Sequence, residues 1–248
     1  SMCTLSWLLD DDAYELHFNR DESRARRPAA PPSVQRHEGV LYVAPTDGDH
    51  GGTWIVSNEF GVAACLLNAY TEEPRPARAG AISRGVLVRA LAPATSSDDL
   101  LERVEKHELC SFRPFLLVVF EPGGQPAVTH WDGRRLITSA LDDRRPPLCS
   151  SSFDQRGVQE RRRALLRRMV AECGQLDAGV LGAFHRSHEP ARGPYSPCMH
   201  REEAATVSYS RLFVDGSSVR LSYASGAPCR VELGKPTEIP RALRWRSG

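Results

Sequence analysis

Met2-Cys3-Thr4-Leu5-Ser6-Trp7-Leu8-Leu9, the turn Asp10-Asp11-Asp12, and then Glu15 to Phe18 leading into Asn19-Arg20-Asp21-Glu22 decide how this chain reads. Leu5 to Leu9 and Glu15 to Phe18 have strand character, and the three aspartates between them make a polar turn. A hairpin over this stretch brings Arg20 and Asp21 back beside Cys3. Removal of Met2 leaves Cys3 first in the chain, with a thiol nucleophile and an amine base on one carbon skeleton. Ser1 reads as a scar of tag removal, and with Ser1 and Met2 in place the Cys3 amine is held in a peptide bond.

Outward from the hairpin, Arg26 to Ser33 is rich in Pro and Ala and is expected to be an irregular loop. Val40 to Ala44, Thr53 to Ser57 and Gly61 to Leu67 read as strands, with Asn58-Glu59-Phe60 as a tight turn and Asn68 ending the last run. A loop from Asn68 to Ala79 precedes predicted helices at Ser83 to Leu91 and Ser97 to His107. Phe115 to Phe120, Ala127 to Trp131 and Arg135 to Thr138 form a predicted strand meander. Two further helices are expected over Gln155 to Glu172 and Leu176 to His185. Thr206 to Val214, Ser218 to Ala224 and a short piece at Cys229 to Glu232 return to strands. Nothing in composition cuts the chain, and the order strands, helices, strands, helices, strands fits one domain over residues 1–248. That domain is α+β, a four-layer αββα sandwich in which two antiparallel sheets stack and helices cover both outer faces.

The 248 residues suffice for a substantial core. With 32 Lys plus Arg against 31 Asp plus Glu, the chain has no general attraction to nucleic acid or an anionic membrane. Arginine runs at Arg24 to Arg27 and Arg161 to Arg168 read as solvated surface, the second on a helix whose apolar stripe is Val158, Ala164, Leu165 and Met169. No apolar run is long enough to span a bilayer, and a basic leader is not seen, so a cytoplasmic protein without an integral membrane segment is expected. Seven scattered cysteines point to reduced thiols. His185, His188, Cys198 and His200 lack ordinary zinc-site spacing, so neither a metal nor a cofactor is expected.

Four motifs in fixed order carry a resemblance: Met2-Cys3-Thr4, Asn19-Arg20-Asp21-Glu22, Gly51-Gly52-Thr53-Trp54, and Gly61-Val62-Ala63-Ala64 running to Asn68-Ala69-Tyr70. Together they resemble the NRDE family, also called the transport and Golgi organisation family, strongly over the first seventy residues and loosely beyond. Thr206-Val207-Ser208 and Gly226-Ala227-Pro228-Cys229 look like that family's closing strands. The family in turn resembles N-terminal nucleophile hydrolases with an N-terminal cysteine, including penicillin V acylases and bile salt hydrolases. The resemblance implies the αββα fold and a catalytic set of Cys3, Arg20, Asp21 and Asn68. It also implies a second Asn, where this chain has Cys149-Ser150-Ser151-Ser152, and a late Arg, for which Arg211 is the candidate.

The activity expected is hydrolysis of a non-peptide C–N bond in a small-molecule amide. A thiol of pKa about 8.5 and an α-amine of about 7.7 to 8.0 exchange protons readily. Arg20 would favour the thiolate, Asp21 would orient the ammonium, and Asn68 would donate to the oxyanion. Adjacent strand residues face opposite ways, so Arg20 and Asp21 cannot both reach Cys3 with their side chains. At least one acts across a bend, through its backbone or structurally, and Glu22 is an alternative to Asp21. NRDE members have also been linked to haem handling and to lipid or Golgi phenotypes. A non-catalytic binder or trafficking protein for haem or a hydrophobic metabolite is therefore the other reading.

Overall fold

The computed structural model describes residues 2–70, 81–141 and 146–242. Ser1, read as a tag scar, and most of the expected loop from Asn68 to Ala79 lie outside them. Strands β1 (Met2–Leu9), β2 (Tyr14–Ser23), β3 (Ala30–His37), β4 (Val40–Thr46), β5 (Ile55–Asn58) and β6 (Ala63–Asn68) come first, followed by helices α1 (Arg84–Ala90) and α2 (Ser97–Lys106). Then come β7 (Phe115–Phe120), β8 (Ala127–Trp131), β9 (Leu136–Ala140), β10 (Leu148–Ser150), helices α3 (Gln155–Cys173) and α4 (Ala178–Arg186), and β11 (Ala204–Val214), β12 (Ser218–Ala224) and β13 (Thr237–Pro240).

The strands form two sheets, both antiparallel throughout. Sheet I runs β10-β1-β2-β11-β12-β13, and sheet II runs β3-β4-β5-β6-β7-β8-β9. Strand alternation puts Leu5, Trp7, Tyr14, Leu16 and Phe18 on the inner face of sheet I, in one core with Ile55, Leu67, Leu117 and Val119 of sheet II. Each such side chain contributes about 1.5 to 3 kcal/mol by leaving water. The rings of Trp7 and Tyr14 meet Phe120 across the layers at 6.2 and 5.6 Å, and the Tyr14 hydroxyl donates to the Gly61 carbonyl at 2.7 Å. Helices α1 and α2 cover sheet II, and α3 and α4 cover sheet I, which completes the αββα order.

Three segments depart from the expectation. Residues 30–33, expected within the loop Arg26 to Ser33, belong to edge strand β3. Pro31 and Pro32 are tolerated because the strand is an outer one and its register shifts between Ala30 and Ser33. Cys229 to Glu232 is a turn, since the N–H groups of Arg230 and Val231 both donate to the Ala227 carbonyl. The closing strand lies further on, at β13. Strand β10, only three residues long, extends sheet I beyond β1 and is not evident from periodicity.

Candidate active site

The β1–β2 register sets Cys3 directly opposite Arg20, and the β10–β1 register sets Ser150 opposite Cys3 from the other side. Cys3, Arg20 and Ser150 therefore share the inner face of sheet I at one end of the sandwich. There a cavity of about 100 Å³ opens, lined by Cys3, Arg20, Asp21, Glu22, Trp54 and Asn68 together with Asp47 and Arg84. The Arg20 guanidinium donates to Asp47 Oδ2 at 2.5 Å and lies 4.2 Å from the Trp54 ring centre. The Glu22 carboxylate stands 3.6 Å from it. Trp54 is buried and also forms the surface on which this cation rests.

The pleat divides the Asn19-Arg20-Asp21-Glu22 motif. Arg20 and Glu22 face the cavity side, whereas Asn19 and Asp21 face the helices. Asn19 Nδ2 donates to the carbonyls of His185 and Pro197, both at 2.9 Å. Asp21 is fully buried and its Oδ1 accepts a 2.6 Å hydrogen bond from Thr206. Asp21 Oδ2 has no hydrogen-bond partner among the described residues and lies 3.9 Å from Arg162 Nη2. Burial raises the Asp21 carboxyl to about 6, against the opposing pull of Arg162 and the Thr206 hydroxyl.

Asp21 nonetheless reaches Cys3 through its backbone N–H, which hydrogen-bonds the sulfur. With Met2 in place, the Cys3 thiol is pushed up to about 12, by burial first and by the Asp21 carboxylate second. The Asp21 N–H and the Arg20 charge pull the other way and do not offset this. The expected exchange of protons between thiol and amine belongs to the free amine, and the chain with its amine acylated is blocked, as expected from the sequence. A thiol this buried is mostly protonated at neutral pH.

Asn68 ends β6 on the opposite wall of the cavity, half-buried, with Nδ2 donating to the Tyr70 hydroxyl at 3.2 Å. Beyond Arg20, Glu22 and Arg26, a larger cleft of about 410 Å³ adjoins the cavity, with Arg24, Arg27 and Arg230 on its rim. Arg26 links the two spaces and is held by Glu22, Asp47 and Asp49 at 2.8 to 3.3 Å.

Arg211 is not near this site. It pairs with Glu15 at 2.6 Å, and its register partner on β2 is His17. The arginine buried behind Cys3 is Arg162 of α3, fully enclosed. Its guanidinium donates to Thr4 Oγ1 and, at 2.6 Å, to the Ser196 carbonyl, and at 3.3 Å to those of Pro194 and Tyr195. The reading of Arg161 to Arg168 as wholly solvated fails at this residue, and Ala164, assigned to the apolar stripe, is exposed. The signal lies in the helical phase: Arg162 comes four residues after Val158 and three and four before Leu165 and Leu166, all buried. In the stretch expected to carry a second Asn, Ser150 has its hydroxyl buried without a hydrogen-bond partner among the described residues. His185 is held elsewhere, at 2.7 Å from Ser6 Oγ.

Comparison with known proteins agrees with this architecture. No curated protein matches the sequence. An N-acylethanolamine-hydrolyzing acid amidase ortholog from Caenorhabditis elegans superposes with a TM-score of 0.58 at 13% identity, covering 86% of this chain and 92% of that one. A mutant form of the conjugated bile acid hydrolase from Clostridium perfringens gives 0.58 at 10% identity, covering 98% of this chain and 97% of that one. At such identities the likeness establishes the fold, that of the N-terminal nucleophile hydrolases. A family model described as Transport and Golgi organisation 2 matches residues 2–177, and the chain belongs to that family.

Proposed function

We propose that this protein is an N-terminal cysteine amidohydrolase that becomes competent when Met2 is removed, and that it cleaves a C–N bond in a non-peptide amide. The observation that carries the reading is Asp21 Oδ2, a buried carboxylate oxygen that has no hydrogen-bond partner among the described residues and meets Arg162 only at 3.9 Å, on the β2 position paired with Met2. A buried carboxylate oxygen without a hydrogen bond is costly unless a donor meets it. The ammonium of a first-position Cys3 is such a group. Charge from that ammonium and from Arg20 would lower the thiol from its blocked value.

In this scheme the Cys3 thiolate attacks the amide carbonyl carbon, the C–S bond forms, and negative charge moves to the oxygen. Asn68 Nδ2 donates to that oxygen. The α-ammonium protonates the leaving nitrogen as the C–N bond breaks, and water then hydrolyses the thioester and returns the proton to the amine. The arginines on the rim of the adjoining cleft favour a substrate with an acidic group remote from the scissile bond. The same likeness to amidases and bile acid hydrolases supports a small-molecule substrate. The reading of a haem or hydrophobic-metabolite carrier rests on the same adjoining cleft, where Pro28, Val207, Tyr223 and Val231 stand beside the arginines.

The test is a chain processed so that Cys3 is first, checked by mass spectrometry, and offered a panel of amides and acyl probes. Labelling is expected on Cys3 and on no other thiol, with turnover absent in Cys3→Ala and reduced about 100-fold to 1000-fold in Asn68→Ala. A processed wild-type chain that acylates no faster than Cys3→Ala would remove the proposal.

A further inference from the structure

The loop between α4 and β11 carries few regular hydrogen bonds, yet Ser196, Cys198 and Met199 within it are completely buried. One side is secured by Arg162, which binds three of its carbonyls. The other side brings together four side chains distant in sequence. His188 follows α4, Cys198 and His200 precede β11, and Cys229 sits in the turn after β12. One ligand atom from each lies within 4.8 Å of the other three.

We propose that His188, Cys198, His200 and Cys229 bind one zinc ion in a closed, structural site. Tetrahedral Zn²⁺ with sulfur and nitrogen ligands sets neighbouring S and N atoms about 3.6 Å apart. Here Cys198 Sγ and Cys229 Sγ stand 3.4 and 3.3 Å from His200 Nε2. Hydrogen bonding alone explains this poorly. A ring nitrogen carries either one proton or one lone pair, so it satisfies one thiol and not two. His188 supplies the second independent sign, since its Nε2 is buried with no hydrogen-bond partner among the described residues. Its ring centre lies 5.1 Å from that of His200. Two thiolates and two neutral imidazoles leave the Zn²⁺ centre neutral, and a soft pair of sulfurs selects zinc over calcium or magnesium. With four protein ligands, no position remains for a substrate.

The sequence spacing hides this site because the fourth ligand is Cys229, on a different strand turn, and because His185 distracts from the set. The proposed site is tied to the candidate catalytic centre through one short path. The N–H of Met199, next to Cys198, donates to Thr206 Oγ1 at 2.8 Å, and that hydroxyl donates to Asp21 Oδ1. His200 also forms part of the wall of the larger cleft. The zinc would therefore clip the loop to the β12 turn and keep the support of Asp21 in register.

Zinc measured by mass spectrometry in the full chain, purified under reducing conditions and dialysed against metal-free buffer, is expected at one equivalent. The Cys198→Ser/Cys229→Ser variant is expected to hold less than a tenth of that. Should this variant fail to fold, cobalt titration of chelator-stripped wild type decides the matter. Thiolate-to-cobalt charge transfer and strong tetrahedral visible bands are expected, with at least a tenfold weaker affinity in His188→Ala. Equal zinc in wild type and the double variant, a cobalt spectrum without the thiolate band, or a Cys198–Cys229 disulfide in the reduced preparation would each overturn the proposal.

Discussion

Helices α1 and α2 meet sheet II through Leu87, Val88, Leu100 and Val104, whereas α3 and α4 meet sheet I through Arg162 and His185 on a floor of Thr4, Ser6, His17, Asn19 and Asp21. Both layers are buried, and both cover an antiparallel sheet. The apolar layer needs only shape, because dispersion and loss of hydration act in every orientation. The polar layer needs each partner in place, since a buried polar group without one costs more than an apolar replacement would. The apolar cluster of α3 and α4 is small, with Leu165, Leu166, Val180, Leu181 and Phe184 at its centre. The candidate catalytic end of the molecule rests on the layer that depends most on partners.

Arg162→Met breaks the polar layer where it is most connected, and a loss of about 3 to 5 kcal/mol in urea unfolding is expected, as for other buried ion pairs that lose one member. Leu87→Ala in the apolar layer is expected to cost about 2 to 5 kcal/mol. The magnitudes overlap, and pH separates them. Without Arg162 the Asp21 carboxyl loses the cation that opposes its burial, so the cost of the Arg162 variant should shrink as Asp21 takes up a proton near pH 5. The cost of Leu87→Ala should be the same at both pH values. Equal pH responses in the two variants would show that Arg162 and Asp21 are not energetically linked.

The apolar layers are the legible part of the sequence. Strands β7, β8 and β12 and the four helices follow from period and turn signals, because their side chains interact with whatever apolar surface is nearest. The hairpin of Cys3 and Arg20 is legible for the same reason, with register following from the polar turn. Arg162 and Cys229 are not, since their value comes from partners far along the chain and their local surroundings look ordinary. Arg162 sits in a run of arginines whose neighbours are solvated, and only helical phase separates it from them. Strands β3 and β10 escape a reading by pattern because one carries two prolines at an edge and the other is too short to show alternation.

A smaller effect comes from acid. His17 accepts or donates at Tyr209 and Glu15, 2.5 and 2.7 Å away, and its ring lies 5.7 Å from that of His185. Burial is the main cause that lowers both imidazole pKa values, partly opposed at His17 by Glu15 and reinforced at His185 by His17. Below about pH 6.5 the unfolded chain therefore binds protons that the folded chain refuses, and stability should fall as pH drops from about 7 toward 5. Asp21 acts in the opposite direction, because its raised carboxyl gives stability that is lost as pH rises through about 6. Two histidines against one carboxyl leave a net loss in acid. The urea midpoint should be lower at about pH 5.5 than at 7.5 in wild type, and in His17→Gln/His185→Gln, where Asp21 alone remains, the difference should vanish or change sign, whereas a wild-type midpoint higher at the acid value would reverse the assignment.

The smallest effect belongs to the apolar layer and serves as its control. Ser96 caps α2 by accepting the Asp99 N–H at 3.0 Å, with Asp98 and Asp99 in the first turn where the helix dipole favours them. Ser96→Ala leaves that N–H without its side-chain acceptor, and a loss of about 1 kcal/mol is expected. Because α2 lies on sheet II, the hydrogen bonds that run from Met199 to Asp21 do not include this cap. The loss should be the same at neutral and acid pH, and acylation of Cys3 in the processed chain should proceed at the wild-type rate. A slower rate at unchanged fold would mean that the apolar layer transmits strain to the catalytic end, and the contrast between the two helix layers would then be one of composition alone.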